Sequence, residues 1–165
     1  MHRRSGRNES SPGFTLVEML VVVVILAIIG AVVIPLAIGT GGMEAMSAAR
    51  IIAADLQYAQ NVAMTRQSPV TVQFDTPGDS YSLSNASGPL KHPMTQADYV
   101  VDFQSKREFG QLDIVTVYFE GSQIVVFDEL GSPDRGGYVT VQGGPEVYRI
   151  DIAPVTGTVT VAAGS

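Results

Sequence analysis

Twenty consecutive residues, Met19 to Ile38, carry no charged side chain, and this run constrains the chain more than any other feature. At about 1.5 Å of helix rise per residue it spans roughly 30 Å, the thickness of the hydrocarbon core of a bilayer. A single carboxylate, Glu18, stands at its head. Before it lies a short leader in which Arg3, Arg4 and Arg7 outweigh Glu9. Positive charge flanking a first apolar segment holds that flank in the cytoplasm, so the body beyond would be exported. An ordinary secretory signal has an apolar region of about 7–15 residues followed by a small-x-small cleavage site. Here the run is longer, and the small residue Gly13 precedes it. A cut after Gly13 would remove the leader and leave the apolar helix at the new N-terminus.

Glu18 needs a partner. An ionised acid inside a bilayer costs about 2.5–3.5 kcal/mol on insertion scales. After such a cut the nearest cation is the new amine of Phe14, four residues back, or roughly 6 Å of helix rise. The alternative is a boundary acid that snorkels to the headgroups, which its place at the helix end permits. Further along the run, Pro35 lacks an amide donor and crowds the preceding turn, so a kink is expected there.

The stretch Gly13-Phe14-Thr15-Leu16-Val17-Glu18-Met19-Leu20 resembles the class III signal of type IV pilins and type II secretion pseudopilins. The resemblance implies cleavage between Gly13 and Phe14 by a prepilin peptidase and N-methylation of Phe14. It also implies that Glu18, the fifth residue after the cut, pairs with the Phe14 amine of a neighbouring subunit and sets the stagger between helices. Pro35 falls where pilin helices often carry a proline. Other pilins or pseudopilins, joined through the N-terminal helix, and an inner-membrane assembly platform are the partners implied. The inner membrane is the implied location, crossed once, with the N-terminus cytoplasmic before processing and the C-terminal domain periplasmic.

Without its leader the chain keeps 7 basic and 15 acidic side chains, a net charge of −8. Zero cysteines exclude a disulfide framework and thiol chemistry. From Glu44 to Arg66, Ala45, Ala48, Ile52, Leu56, Ala59 and Ala63 recur at intervals of three and four, the period of one helix face. Arg50, Asp55, Gln57 and Arg66 fall largely on other faces. This helix is expected to continue from the membrane segment, loosened around Pro35 and Gly39-Thr40-Gly41-Gly42.

From Pro69 the period changes to that of strands. Val70–Phe74 and Tyr81–Ser84 read as a hairpin across Thr76-Pro77-Gly78-Asp79. Asn85–Asp98 reads as a loop and Val100–Phe103 as a short strand. Ile114–Phe119 and Gln123–Phe127 are joined by a tight turn at Glu120-Gly121-Ser122. Beyond the Asp128–Gly137 loop come Tyr138–Val141, Val147–Ile152 and Thr158–Val161. One long helix and about seven strands give an α+β, pilin-like fold, with the helix, transmembrane and then amphipathic, packed on a C-terminal antiparallel sheet domain. The expected divisions are a leader at 1–13, a transmembrane and assembly helix at 14–38, an exported part of the helix at 39–68 and a β-rich domain at 69–165.

Three downstream stretches are similar to the GspH/FimT branch of pseudopilins. They are Leu56-Gln57-Tyr58-Ala59-Gln60, where the branch commonly ends in Arg, Phe127-Asp128-Glu129-Leu130-Gly131, and Tyr148–Ile152 through Thr156-Gly157-Thr158-Val159-Thr160. Gly131 and Gly157 read as turn formers. The resemblance implies a minor pseudopilin of a type II secretion system, assembled into a pseudopilus for protein export. It equally allows a FimT-like minor pilin of a type IV pilus or DNA-uptake machine. A signal-anchored solitary binding domain is the reading from another class.

Catalytic chemistry has little to stand on. With His92 the one histidine beyond the leader and no cysteine, metal clusters and Cys–His nucleophilic sites are excluded, and no nucleophile-elbow spacing supports a serine enzyme. No cofactor is expected. Asp128, Glu129 and Asp134 offer oxygen ligands to Ca²⁺, but without the alternating spacing of an EF-hand, and they read as a solvated acidic turn in preference to a cation site. Lys106-Arg107 is the only adjacent basic pair outside the leader, which disfavours nucleic acid as a partner.

Overall fold

The computed structural model describes residues 15–38 and 40–164, with side chains described for 15–29 and 41–164. The chain divides into two compact units, the first ending at Ile38 and the second running from Gly39 to Ser165. The first contributes one helix, α1 (Leu16–Ile38), whose helical backbone carries through Pro35. The expected continuous helix is thus described as two stretches, with Gly39 between them outside the described residues. The leader, the expected cleavage pair Gly13 and Phe14 included, lies outside them as well.

The second unit opens with α2 (Thr40–Arg66), followed by nine strands. β1 (Val70–Asp75), β2 (Ser80–Asn85), β3 (Gly88–Pro89), β4 (Val100–Asp102) and β6 (Ile124–Phe127) form one antiparallel sheet. Its order is β3-β2-β1-β6, with β4 also paired to β2. β5 (Leu112–Tyr118), β7 (Gly137–Gly143), β8 (Glu146–Ile152) and β9 (Val159–Ala163) form the other sheet in the order β5-β7-β8-β9. The expected hairpin is β1–β2, with Val72 opposite Leu83 and Phe74 opposite Tyr81. The segment expected as a loop after Asn85 instead contributes β3, because Asn85 Oδ1 accepts the Ser87 N–H at 2.9 Å and Gly88 takes φ +118° to reverse the chain onto β2.

Every residue of the expected helix face is buried, from Ala45 and Ala48 through Ile52 and Leu56 to Ala59 and Ala63. Small side chains let the α2 backbone come close to strands of both sheets. Of the glycines at the expected joint, Gly41 and Gly42 lie within α2 and serve that approach, whereas Gly39 lies outside the described residues. A Cβ on Gly41 would stand 2.8 Å from the Gly143 carbonyl carbon and the Gly144 nitrogen, closer than van der Waals contact permits. Here glycine is required by space, not by flexibility.

The turn at Glu120-Gly121 is as expected, with φ +51° and +86° at the two central residues and a bridge between Phe119 and Ser122. The strands it joins do not pair, however. β5 goes to the second sheet and β6 to the first, where Val125 lies opposite Val72 and Phe127 opposite Val70. The β5 edge is taken by β7: Gly137 sits so close that a Cβ there would collide with the Tyr118 carbonyl oxygen and the Phe119 ring.

Three polar ties join these layers. Asp79, only 7% exposed, accepts the Ile114 N–H of β5 at 2.7 Å and the Gln104 amide at 3.0 Å, linking the β1–β2 turn to the other sheet. Asp55 on α2 accepts the Tyr81 hydroxyl at 2.5 Å and the Tyr99 hydroxyl at 2.9 Å, fixing the helix to the first sheet. Gln60, one turn further, reaches a turn of each sheet (below).

Asp79→Ala would leave the buried Ile114 N–H without an acceptor, at a cost of about 1–3 kcal/mol. Asp79→Asn, which keeps the acceptor and tolerates the φ of +43° at this position, should lose less. Urea unfolding of the two variants distinguishes them. Burial, reinforced by Asp55, pushes the Tyr81 phenol well above its ordinary value of 10.0, and Tyr99 rises for the same reasons. The folded protein therefore holds phenolic protons that the unfolded chain releases. This contribution to stability is complete below pH 10 and is lost as the pH climbs beyond it. Urea midpoints should fall steeply above pH 10 in the wild type and less steeply in Tyr99→Phe.

Candidate assembly site

The sequence places its main candidate residues in and before the first turn of α1. Thr15 caps that helix: its hydroxyl accepts the Glu18 N–H at 3.1 Å, and its carbonyl accepts the Met19 N–H at 3.1 Å. Thr15-x-x-Glu18 is the pattern of a capping box, a signal present in the sequence and not used in reading it. Glu18 also lies where the helix dipole favours an anion. Its carboxylate makes no hydrogen bond or ion pair among the described residues and is exposed.

Every side chain described for α1 is exposed, apolar ones included, on both sides of Glu18: Leu16 is 82% accessible and Ile28 60%. A helix apolar on all sides belongs in a membrane or inside a bundle. Among the described residues no helix is long and apolar enough to cross a membrane, the side chains of α1 being described as far as Ile29. In the sequence the uncharged run continues to Ile38.

The three downstream stretches that carry the family resemblance meet at the C-terminal end of α2. Gln60 Nε2 donates to the Gly131 carbonyl at 2.7 Å and to the Thr156 carbonyl at 3.0 Å. One amide thus holds the turn that follows β6 in the first sheet and the turn between β8 and β9 in the second. Gly131 and Gly157 have φ of +82° and +66°, so they are turn formers as read. They also make room, since a Cβ on Gly131 would stand 2.8 Å from Met64 Sδ, and one on Gly157 2.9 Å from the Gly131 oxygen. Composition alone does not reveal this convergence, because it depends on how the two sheets are set against one helix.

Residues considered for chemistry are occupied structurally. His92 Nδ1 accepts the Met94 and Thr95 N–H groups at 3.2 and 3.4 Å, and its ring lies 4.9 Å from that of Tyr99. Asp128 Oδ1 accepts the Leu130 and Ser132 N–H groups, and Asp134 accepts the Val126 N–H while pairing with Arg135 at 2.9 Å. These carboxylates build the acidic turn instead of converging on a common point. Among the described residues no three His, Cys, Asp or Glu side chains are grouped to hold a metal ion. Lys106 lies over the Phe103 and Phe109 rings, 6.0 and 5.9 Å from their centroids. The Asp55–Tyr81–Tyr99 triad was not legible, because a polar residue off the apolar stripe reads as solvated.

Comparison with known proteins agrees with this geometry. The prokaryotic N-terminal methylation motif matches residues 10–34 and implies an N-terminal membrane anchor of the pilin kind. Among solved structures the fold is similar to the minor pseudopilin EpsH from the type 2 secretion system of Vibrio cholerae, at 16% identity and a TM-score of 0.56, covering 73% of this chain and 97% of that one. It is also similar to the type IV minor pilin FimU of Pseudomonas aeruginosa, at 19% identity and a TM-score of 0.53, covering 74% and 93%. Comparison with curated proteins gives no match. The description "Type II transport protein GspH" matches residues 48–157, the stretch that holds most of α2, the Gln60 junction and the sheets up to the β8–β9 turn, and the chain belongs to that family.

Proposed function

We propose that this chain is a minor pseudopilin of a type II secretion system, a structural subunit without catalytic activity of its own. The methylation motif at residues 10–34 carries the reading, because it stands directly ahead of a GspH domain at 48–157. In this reading a prepilin peptidase cuts between Gly13 and Phe14, and Phe14 is N-methylated. The helix at 14–38 is stored in the inner membrane, and the domain beyond is periplasmic. An inner-membrane platform then draws α1 into a bundle with the helices of other pseudopilins. Pro35 gives the helix a point of bending. Each all-apolar helix exchanges lipid for its neighbours, so close packing and charge pairing, not hydrophobic transfer, select its position. Glu18 supplies that selection by meeting the Phe14 amine of an adjacent subunit, which neutralises both charges in a medium that penalises either alone.

A second reading, a minor pilin of a type IV pilus, is supported by the comparable likeness to FimU and uses the same helix and the same charge pair.

Intact-mass and N-terminal analysis of the membrane-extracted protein should give a chain beginning at N-methyl-Phe14. An intact leader, or a cut beyond Ile38, refutes pilin processing. Glu18→Gln should insert and be processed as the wild type but enter sheared filaments at a level lower by about tenfold or more, the equivalent of one lost charge pair. Equal incorporation beside wild-type partners refutes the pairing. Co-purification with secretion-system rather than pilus subunits distinguishes the two readings.

A further inference from the structure

The outer face of the second sheet, turned away from α2, carries an ordered strip of side chains to which assembly through α1 gives no role. Val139, Val141, Ile150 and Ile152 point into the core, so the alternate residues of β7 and β8 point out. Register sets these outward residues in two rows across all four strands. Tyr118, Tyr138, Asp151 and Thr160 are successive cross-strand partners, and Thr116, Thr140, Arg149 and Ala162 form the next row. A cleft of about 520 Å³ lies along the first row, bounded by Gly136 and Pro154. A smaller one of about 330 Å³ continues over the second, and both share Tyr138 and Arg149.

The polar groups of this strip are held in place. The Arg149 guanidinium carbon sits 3.9 Å from the centroid of the Tyr138 ring, and Nε and Nη2 both donate to Asp151 Oδ1, at 2.8 and 2.7 Å. Arg149 Nη1 and Asp151 Oδ2 make no bond among the described residues, which leaves the pair one donor and one acceptor still to be used. Tyr118, 48% exposed, offers a ring whose centroid is 5.7 Å from that of Tyr138. Thr158 and Thr160 add hydroxyls that both donate and accept.

This set of groups selects among ligand chemistries. Phosphate or nucleic acid needs clustered, uncompensated cations, whereas Arg149 is neutralised by Asp151 and Glu120 lines the same cleft. A cation seeking the Tyr138 face finds Arg149 already there. A wholly apolar ligand would bury the free donor and acceptor unpaired. A pyranose satisfies all of them, since it has an apolar ring face for Tyr118 and adjacent hydroxyls that both donate and accept. We propose that the Tyr118–Tyr138–Arg149–Asp151 strip is a binding site for a neutral saccharide, its ring stacked on Tyr118 and its hydroxyls bonded to Arg149 Nη1, Asp151 Oδ2 and the neighbouring threonines. The inference rests on the outer sheet face alone and stands independently of the secretion or pilus reading.

The test uses the full-length protein in amine-oxide micelles, which carry no sugar headgroup. Saturation-transfer difference NMR with chitotetraose and with cellotetraose should show transfer to the ring protons of at least one. An affinity in the millimolar range, about −4 kcal/mol, is what an open cleft supports. Amide shifts should concentrate at Gly137, Tyr138, Arg149 and Thr160. Tyr118→Ala, at a half-exposed position, should weaken binding by about tenfold with unchanged thermal unfolding, and Tyr118→Phe should restore it. Absence of transfer to both sugars overturns the proposal, as does binding that survives Tyr118→Ala. Displacement of the sugar by a hexa-arginine peptide perturbing the same amides would assign the cleft to a basic protein segment and also overturn it.

Discussion

Close approach of the α2 backbone to two sheets at once is the constraint on which the second unit depends. It is possible because the buried face of the helix is mostly alanine, and because Gly41 meets Gly143 and Gly144 with no room for a side chain. A helix that close places the flanking side chains within hydrogen-bonding reach of the strands. Asp55 then meets the phenols of Tyr81 in β2 and of Tyr99 just before β4, and Gln60 meets a turn of each sheet. Larger residues on the stripe would lift the helix and break these polar contacts together, since none of the acceptors or donors can follow it.

The two sheets share one apolar core with α2, and short polar links fix how they are set against it. The chain passes between them at Glu120-Gly121, and Asp79 bonds back across the same divide. β7 enters along β5 at Gly137, where only a glycine fits beside Phe119. Inner faces rich in valine, isoleucine and phenylalanine are used up on α2 and on each other, and the outer face of the second sheet is left with tyrosine, threonine and one compensated arginine. In the proposed reading, membrane insertion and filament entry fall to α1, whose described apolar side chains are exposed.

Several elements were legible because their cause is local. The stripe from Ala45 to Ala63, the β1–β2 hairpin and the positive φ of Gly131 and Gly157 each follow from residues near in sequence. The capping box at Thr15 was equally local and was passed over beside the stronger charge argument for Glu18. The role of Gly41 was not legible, because glycine permits both flexibility and close contact, and only the opposite surface shows the second. Asp55 and Gln60 were opaque for the same reason: a polar side chain at the edge of an apolar stripe looks solvated until its acceptor or donor is known.

By itself the sequence determined the apolar helix, the lone acid at its head, the helical face that is buried and the turns that reverse the chain. Each of these is written in hydrophobic period, charge or backbone preference over a few residues. Tertiary structure alone decided that the strands flanking Glu120-Gly121 part into different sheets, that one glutamine joins three distant motifs, and that Tyr118, Tyr138, Asp151 and Thr160 fall into one row. A turn dictates that the chain reverses, but not which edge it then meets. That choice depends on which inner faces fill the space against α2, and it is made only when all of them are present.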